Sequence, residues 1–258
     1  MDLAGRVAGA TGGMGQVIAR ELAGAGAHVV IVARDLKQAA TLRENVTRDS
    51  GPGRLQVMSG DLSAGEGVTC VARRILAEHR AVHLLVNNAG AHFNDHRRSA
   101  DGLEMHIAVD YLAAYGMTVL LKDALRRGGA RVVNVASDSR RDTRRVKLPG
   151  RPRPATLDLS ALDDLARLNP VEGFVPFQAY ARAKLLTVMA GYDLARELAP
   201  DGVTVNAVHP GIVATGIIDD LIPAVLRPLS GLIRRSMLTP EQGPQQLCAW
   251  PPTPCSLQ

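Results

Sequence analysis

The sequence has few cysteines and no long apolar run. Its three cysteines, Cys70, Cys248 and Cys255, form no C-x-x-C pair, so we expect neither a disulfide framework nor a zinc site. The longest apolar runs, such as residues 29–33, fall far short of the ~20 residues that cross a bilayer. Because the chain also opens without the pattern of a signal peptide, we expect a cytoplasmic protein without a membrane span.

Aliphatic side chains are what the chain has in quantity. Of its 258 residues, 46% are hydrophobic and 21% are charged, which is typical of a folded globular protein and excludes disorder as its main state. No linker divides it into halves. We therefore predict one domain over residues 1–243, followed by an irregular proline-rich tail at 244–258.

The net charge of +5 is a mild basic excess, and much of it is local. Seven lysine and arginine side chains crowd residues 140–153. This run fits a solvated surface loop or a segment that binds nucleic acid. We favour the surface loop and expect no nucleic-acid partner, because no known nucleic-acid-binding module accompanies the run.

Short β-branched runs alternate along the chain with longer segments of helical period. Strands are predicted at 28–33, 55–59, 84–87, 131–136 and 203–208, and helices at 16–23, 64–78, 103–126 and 177–198. This order predicts an α/β fold with a doubly wound, Rossmann-like parallel sheet. Ligands bind such sheets outside the carboxyl ends of the strands, so we look for a site in the loops that follow them.

The first of these loops is rich in glycine. Its glycines let backbone amides approach a pyrophosphate at a helix N-terminus, although a purely structural turn would look similar. The candidate residues for binding a dinucleotide are Gly9, Thr11, Gly12, Gly13, Met14 and Gly15.

Polar residues follow the next predicted strands. A guanidinium at Arg34 can pair with a 2′-phosphate, which favours NADP over NAD, but a surface arginine beside a helix cap would look the same. Asp61, beside Leu62, fits either an adenine contact or a helix cap. The segment of Asn88, Ala89 and Gly90 leaves room for a flat ligand, although a plain turn would have a similar sequence.

Tyr180 and Lys184 lie four residues apart in the last predicted helix, so their side chains share one face. A phenol has a reference pKa of about 10, and an adjacent ammonium together with a positive nicotinamide ring favours the phenolate. We therefore expect Tyr180 to serve as a general acid or base near neutral pH. Alone the pattern is weak, because it occurs by chance in many helices.

Taken together, these motifs resemble those of the short-chain dehydrogenase/reductase family. The glycine pattern, Asp61, residues 87–90, Ser137, Tyr180 with Lys184, and residues 209–215 occur in the family's order. The resemblance covers about residues 5–243, and in style it is similar to the retinol-dehydrogenase-like branch and its bacterial relatives. It implies hydride transfer between NADP(H) and a small-molecule carbonyl or alcohol, with NAD(H) as the less favoured cofactor.

The resemblance also implies a role for each residue. Ser137 would hydrogen-bond the substrate carbonyl, Tyr180 would exchange the proton on that oxygen, and Lys184 would hold the ribose hydroxyls. Asp110 stands where the family has an asparagine that supports a water relay to the lysine. The last cofactor contacts would come from Pro210, Gly211, Val213 and Thr215.

Three features depart from the family pattern. Residues 6–8 alone separate Gly5 from Gly9, so we expect a shortened first strand. Asp110 places a charge near Lys184. Prolines after residue 250 forbid a regular element, so we expect the last strand to be absent. A catalytically impaired dinucleotide-binding or regulatory protein is therefore the alternative to an active enzyme.

The stretch between Ser137 and Tyr180 is longer than the family's usual one, so we predict an insertion at about residues 138–176. Within it, residues 158–165 predict a short capped helix. We expect the insertion to form part of the rim of the substrate pocket, with its basic run in solvent.

Two further patterns carry weaker hypotheses. The pairs His79/His83 and His92/His96 have the spacing of metal ligands on one helix, but neither has a clear third ligand, so we expect no metal. The apolar surface of helix 177–198 fits core packing or a homodimer equally well.

Overall fold

The computed structural model describes residues 7–11, 13–34, 36–50, 55–137 and 156–210. In this part of the chain, six parallel strands form one sheet in the order β3-β2-β1-β4-β5-β6. The strands are β1 (Val7–Thr11), β2 (His28–Ala33), β3 (Leu55–Ser59), β4 (Leu84–Asn87), β5 (Arg131–Val135) and β6 (Thr204–Val208). β2, β4 and β5 are almost entirely buried, as their nearly continuous apolar sequences require.

Helices cover both faces of the sheet. They are α1 (Gly13–Gly24), α2 (Leu36–Ser50), α3 (Gly65–Glu78), α4 (Ala113–Leu120), α5 (Lys122–Gly128) and α6 (Pro176–Leu198). One buried core joins the sheet to α3, α4 and α5, and a second joins its other face to α1 and α2. The predicted doubly wound α/β fold is confirmed.

The first strand differs from its prediction. β1 has five residues, as many as β3, β5 and β6, so it is not short. It reaches this length by taking Gly9 to Thr11, which the sequence assigns to the glycine-rich loop. Because α1 begins at Gly13, the missing residues shorten the loop between strand and helix rather than the strand.

The helical predictions are corrected at two places. The predicted helix 103–126 is broken into a π-helical turn at Ile107–Leu112, then α4, then α5. The predicted helix at 158–165 is instead a pair of 3₁₀ turns, Leu159–Ala161 and Leu165–Arg167. Asp164 accepts a hydrogen bond from the Ala166 amide there, a local bond that competes with an α-helix.

Several expectations concern surfaces and ends of the chain. None of the helices in the described part combines the length and apolar character that crossing a bilayer needs. Tyr192 on α6 is 70% exposed and Tyr115 on α4 is 40% exposed, so each of these two helices has apolar surface open to solvent. A homodimer through α6 stays a prediction. The basic run, the tail and the segment in which we expect the last strand to be absent fall outside the described residues.

Gly128→Ala is expected to reduce the free energy of unfolding by about 2 kcal/mol, because a Cβ at this position would overlap the backbone carbonyl of Val82. Gly116→Ala is the matched control, since its Cβ would lie an ordinary 3.4 Å from Val68 and alanine favours α4. Denaturant unfolding measures both variants. Equal stability of the two would contradict the close approach of α5 to Val82.

Candidate active site

The candidate site lies at the carboxyl ends of β4 and β5. Asn88, Ala89 and Gly90 follow β4, and Ser137 is the second residue after the end of β5. α6 lies beside these loops and carries Tyr180 and Lys184. Topology therefore brings together residues that lie far apart in the sequence.

Tyr180 is 7% exposed and hydrogen-bonds to the Ser137 side chain. Burial raises the pKa of Tyr180 above its usual value, and the Asp110 carboxylate adds to this, while Lys184 and the bond with Ser137 lower it. In the protein alone, desolvation therefore outweighs the Lys184 ammonium. The expectation that Lys184 together with a bound nicotinamide ring favours the phenolate stays a prediction. With its pKa raised, Tyr180 is a protonated phenol in this environment.

Lys184 is 4% exposed and lies one turn after Tyr180 on the same face of α6. Its Nζ donates a hydrogen bond to the Val135 carbonyl at 3.1 Å and lies 3.5 Å from Oδ1 of Asp110. The same Nζ is 5.8 Å from the centre of the Tyr180 ring. One ammonium thus connects β5, Asp110 and the phenol.

Asp110 is fully buried in the π-helical turn that precedes α4. Its Oδ1 accepts a hydrogen bond from the Ala91 amide at 3.0 Å, and its backbone carbonyl accepts one from Thr187 at 2.8 Å. Burial raises the pKa of Asp110 to about 6 although Lys184 opposes the rise. Hydrogen bonds within the protein thus hold both the side chain and the backbone carbonyl of Asp110.

Gly90 has no room for a side chain. A Cβ there would lie 2.8 Å from Oδ1 of Asp110 and 3.1 Å from Nζ of Lys184. The loop after β4 can therefore approach the charged pair this closely only because residue 90 is glycine.

The residues predicted to contact the adenine half of a dinucleotide lie at the same edge of the sheet. Leu62 and Ala89 line a narrow apolar cleft with Val32. Arg34 is exposed at the end of β2 and its charge acts on Asp61. Asp61 accepts a hydrogen bond from the Ser63 amide and does not cap α3, whose N-cap is Ala64.

The structure divides the glycine-rich segment between a strand and a helix. Gly9 and Thr11 lie in β1, while Gly13 and Met14 open α1 and Gly15 is buried in its first turn. This leaves one residue, Gly12, between strand and helix, and it lies outside the described residues. Pro210 is buried beyond β6, whereas Gly211, Val213 and Thr215 also lie outside them.

A buried polar cluster beside the site has no counterpart in the sequence predictions. Glu104 is 1% exposed and His106 is fully buried, and they pair at 2.7 Å through Nδ1 of the histidine. The second Glu104 oxygen accepts a hydrogen bond from the Asn169 side chain at 2.8 Å. The E-x-H spacing ahead of the helix is the one local signal that could have pointed to it.

His106 joins this cluster to the catalytic candidates. Its Nε2 accepts a hydrogen bond from the Phe93 amide at 3.0 Å, which fixes the proton on Nδ1, facing Glu104. Its ring lies 6.1 Å from the ring of Tyr180 and 6.3 Å from that of Phe174. Phe174 and Asn169 belong to the predicted insertion, so that segment packs beside the candidate pocket.

Arg182, on α6, links that helix to the predicted insertion through hydrogen bonds. Its guanidinium donates hydrogen bonds to the Thr156 carbonyl at 2.9 Å and to Oδ1 of Asn169 at 3.1 Å. A cavity of about 310 Å³ opens beside it, lined also by Gln178 and Ala179. Neither Tyr180 nor Ser137 lines this cavity, so it is separate from the chemistry.

The two histidine pairs, His79/His83 and His92/His96, do not belong to a metal-binding cluster among the described residues. In the part of the chain that the structure describes, no three His, Cys, Asp or Glu side chains gather to hold a metal. His79 contacts Gln56 on β3, and His96 contacts the backbone carbonyl of Asn169. His92 packs its ring 6.0 Å from that of Tyr180.

Comparison with known proteins agrees with this geometry. A family model described as short chain dehydrogenase matches residues 6–146. Retinol dehydrogenase 12 of Homo sapiens is 34% identical over 213 residues, which cover 82% of this chain and 62% of that protein. Retinol dehydrogenase 11 of Homo sapiens is 30% identical over 240 residues, covering 93% and 69%. The chain thus spans less than two thirds of the length of retinol dehydrogenase 12.

Solved structures share the fold. L-sorbose reductase from Gluconobacter frateurii, solved with NADPH and L-sorbose, matches with a TM-score of 0.69 at 22% identity, over 93% of this chain and 87% of that one. A metagenomic short-chain oxidoreductase in complex with NADP matches with a TM-score of 0.60 at 26% identity, over 90% and 91%. The chain therefore belongs to the short-chain dehydrogenase/reductase family of oxidoreductases, in its retinol-dehydrogenase-like branch.

Proposed function

We propose that this protein is an NADP(H)-dependent oxidoreductase that interconverts a carbonyl and an alcohol. The observation that carries the proposal is the buried Tyr180, hydrogen-bonded to Ser137 and placed one helical turn from Lys184. A phenol held in this way can give a proton to a substrate oxygen or take one from it. NADP is also the cofactor named for some solved relatives.

The chain's own residues supply binding and proton transfer. The nicotinamide, when bound, supplies or accepts the hydride. Ser137 orients the substrate oxygen toward Tyr180, and Tyr180 donates its proton to that oxygen in carbonyl reduction. Lys184, held by Val135, stabilises the phenolate that remains. Asn88, Ala89 and Gly90 form the wall of the site on the β4 side.

The side chains packed around Tyr180 support an apolar substrate of medium size. The rings of His92, Phe93 and Phe174 each contact His106 or Tyr180. Relatives named retinol dehydrogenase and polyprenol dehydrogenase support the same class. We propose apolar aldehydes and ketones as substrates, with the corresponding alcohols in the reverse direction.

The test is a titration followed by an activity panel. NADPH and NADH are titrated against the protein by nicotinamide fluorescence, and a series of apolar aldehydes and ketones, retinaldehyde among them, is then assayed. Saturable NADPH binding with turnover of at least one carbonyl supports the proposal. Binding without turnover on any member contradicts the catalytic assignment.

Arg34→Ala is expected to weaken NADPH binding about tenfold or more and to leave NADH binding unchanged. A guanidinium beside the ribose makes charge-assisted hydrogen bonds with a 2′-phosphate that NADH lacks. Isothermal titration with both cofactors measures the change. Arg43→Ala, which removes an exposed arginine of α2, is the matched control. An equal loss for both cofactors would argue against a 2′-phosphate contact.

One observation favours a second candidate, an impaired dinucleotide-binding or regulatory protein. The single residue between β1 and α1 leaves fewer free backbone amides for a pyrophosphate than a longer glycine loop would. Under this alternative, the protein binds neither cofactor in the same titration. Failure to bind either cofactor would thus indicate a defect in the pyrophosphate-binding segment rather than in the catalytic residues.

A further inference from the structure

Asp110 places a carboxylate inside the candidate site, and its surroundings do not fully satisfy the hydrogen-bonding capacity of that group. Oδ1 receives the Ala91 amide and faces Lys184, whereas Oδ2 is buried without a hydrogen-bond partner in the described part of the chain. Burying an ion in this way carries a large desolvation penalty unless its charge is matched. The match comes from Lys184, the same ammonium that faces Tyr180.

The charged and titratable groups around this centre come from each neighbouring element. α6 contributes Tyr180 and Lys184, and the turn that holds Asp110 contributes His106, itself paired with Glu104. The loop after β4 contributes His92, whose ring packs against Tyr180. His106 accepts a hydrogen bond from the Phe93 amide at Nε2, and the Lys184 ammonium lies 3.5 Å from Oδ1 of Asp110.

We propose that Asp110 is a positioning residue that acts on Tyr180 through Lys184: its carboxylate holds the ammonium and offsets its charge, so that the phenol stays protonated and is suited to carbonyl reduction. This inference rests on the proposed function. A protonated phenol is what reduction consumes, because the substrate oxygen must receive a proton, whereas alcohol oxidation needs a base at the same position.

The sign of the effect follows from the pKa values. Burial puts the pKa of Asp110 at about 6, so its carboxyl is charged at every pH at which the Tyr180 phenol begins to ionise. The charged carboxylate raises the pKa of Tyr180 while Lys184 lowers it. Removing the negative charge and keeping the ammonium must then lower the pKa of the phenol.

The test is Asp110→Asn, which keeps the shape and the acceptor for the Ala91 amide. Phenolate absorbance in the near ultraviolet is titrated in the full chain without cofactor, and the same titration of Tyr180→Phe variants subtracts the other three of its four tyrosines. We expect the Tyr180 transition to move down by about one pH unit. Circular dichroism at each pH verifies that the protein is folded.

Kinetics give a second measurement. In Asp110→Asn, the basic limb of the pH profile of kcat for carbonyl reduction should move to lower pH, again by about one unit. The value of kcat for alcohol oxidation at neutral pH should rise. KM for the carbonyl should not change. Thr187→Val is the matched control, since it removes the hydroxyl that bonds the Asp110 backbone and leaves the carboxylate in place.

Each outcome decides the inference. A lowered phenolate transition in Asp110→Asn but not in Thr187→Val supports it, and an unmoved transition overturns it even if the enzyme is active. Equal shifts in both variants also overturn it, because they would reflect loosened packing. Asp110→Ser removes the same charge if the asparagine variant does not fold. Absence of turnover in the wild type defeats the proposed function alone, since the phenolate titration needs no activity.

Discussion

Tyr180→Phe is expected to lower kcat for carbonyl reduction by about a thousandfold, the typical contribution of a positioned general acid. The phenol is buried, hydrogen-bonded to Ser137 and adjacent to Lys184, which suits it to deliver a proton to the substrate oxygen. Because the ring and its packing remain, NADPH affinity should be little changed. Steady-state kinetics and fluorescence titration of the same preparation measure the two quantities.

Tyr192→Phe is the matched control for this variant. Tyr192 lies on α6 as well, but it is 70% exposed, and removal of its hydroxyl should leave kcat unaltered. Turnover of Tyr180→Phe at the wild-type rate would show that the proton comes from elsewhere. Loss of NADPH binding together with kcat would instead indicate that the phenol is needed to keep the cofactor site in shape.

Buried strands are the part of the fold that the sequence predicts best. The bounds predicted for β2, β3 and β4 are those of the structure, because strands covered on both faces read as continuous apolar runs. The helix α2 is not predicted, since few apolar residues mark its buried face. The break at Ile107–Leu112 is also unpredictable, because no glycine or proline there signals a departure from α-helical geometry.

The site divides in the same way. Tyr180, Lys184 and Ser137 follow from spacing and motif order, and the structure brings them together. The pKa of Tyr180 does not follow, because burial, which dominates it, depends on contacts from β5 and from the turn before α4. Asn169 escapes prediction for a related reason, since its partner Glu104 is 65 positions away.

Glu104 is the shared hydrogen-bond acceptor of the buried polar cluster beside the candidate site. It accepts hydrogen bonds from Nδ1 and the backbone amide of His106, at 2.7 and 3.0 Å, and from Asn169 at 2.8 Å. Burial raises the pKa of Glu104, but the bonds with His106 and Asn169 outweigh it, so the pKa lies below its usual value. The carboxylate is therefore the form that stabilises the native state.

Glu104→Ala is expected to reduce the free energy of unfolding by about 3 to 5 kcal/mol at neutral pH, because it leaves His106 and Asn169 buried without their acceptor. Glu172→Ala, an exposed glutamate in the same insertion as Asn169, should change stability by less than about 0.5 kcal/mol. Denaturant unfolding measures both.

The pH dependence separates a role of the Glu104 charge from a role of its volume. A depressed pKa means that the contribution of Glu104 is present above the unfolded-state pKa and is lost as the pH falls through the lower, folded-state value. The stability difference between wild type and Glu104→Ala should thus shrink in acid below about pH 4.3, the unperturbed pKa of glutamate. A difference that stays constant from neutral pH into acid would mean that Glu104 stabilises the pocket by packing alone. His106 would then need no carboxylate to hold its ring beside Tyr180.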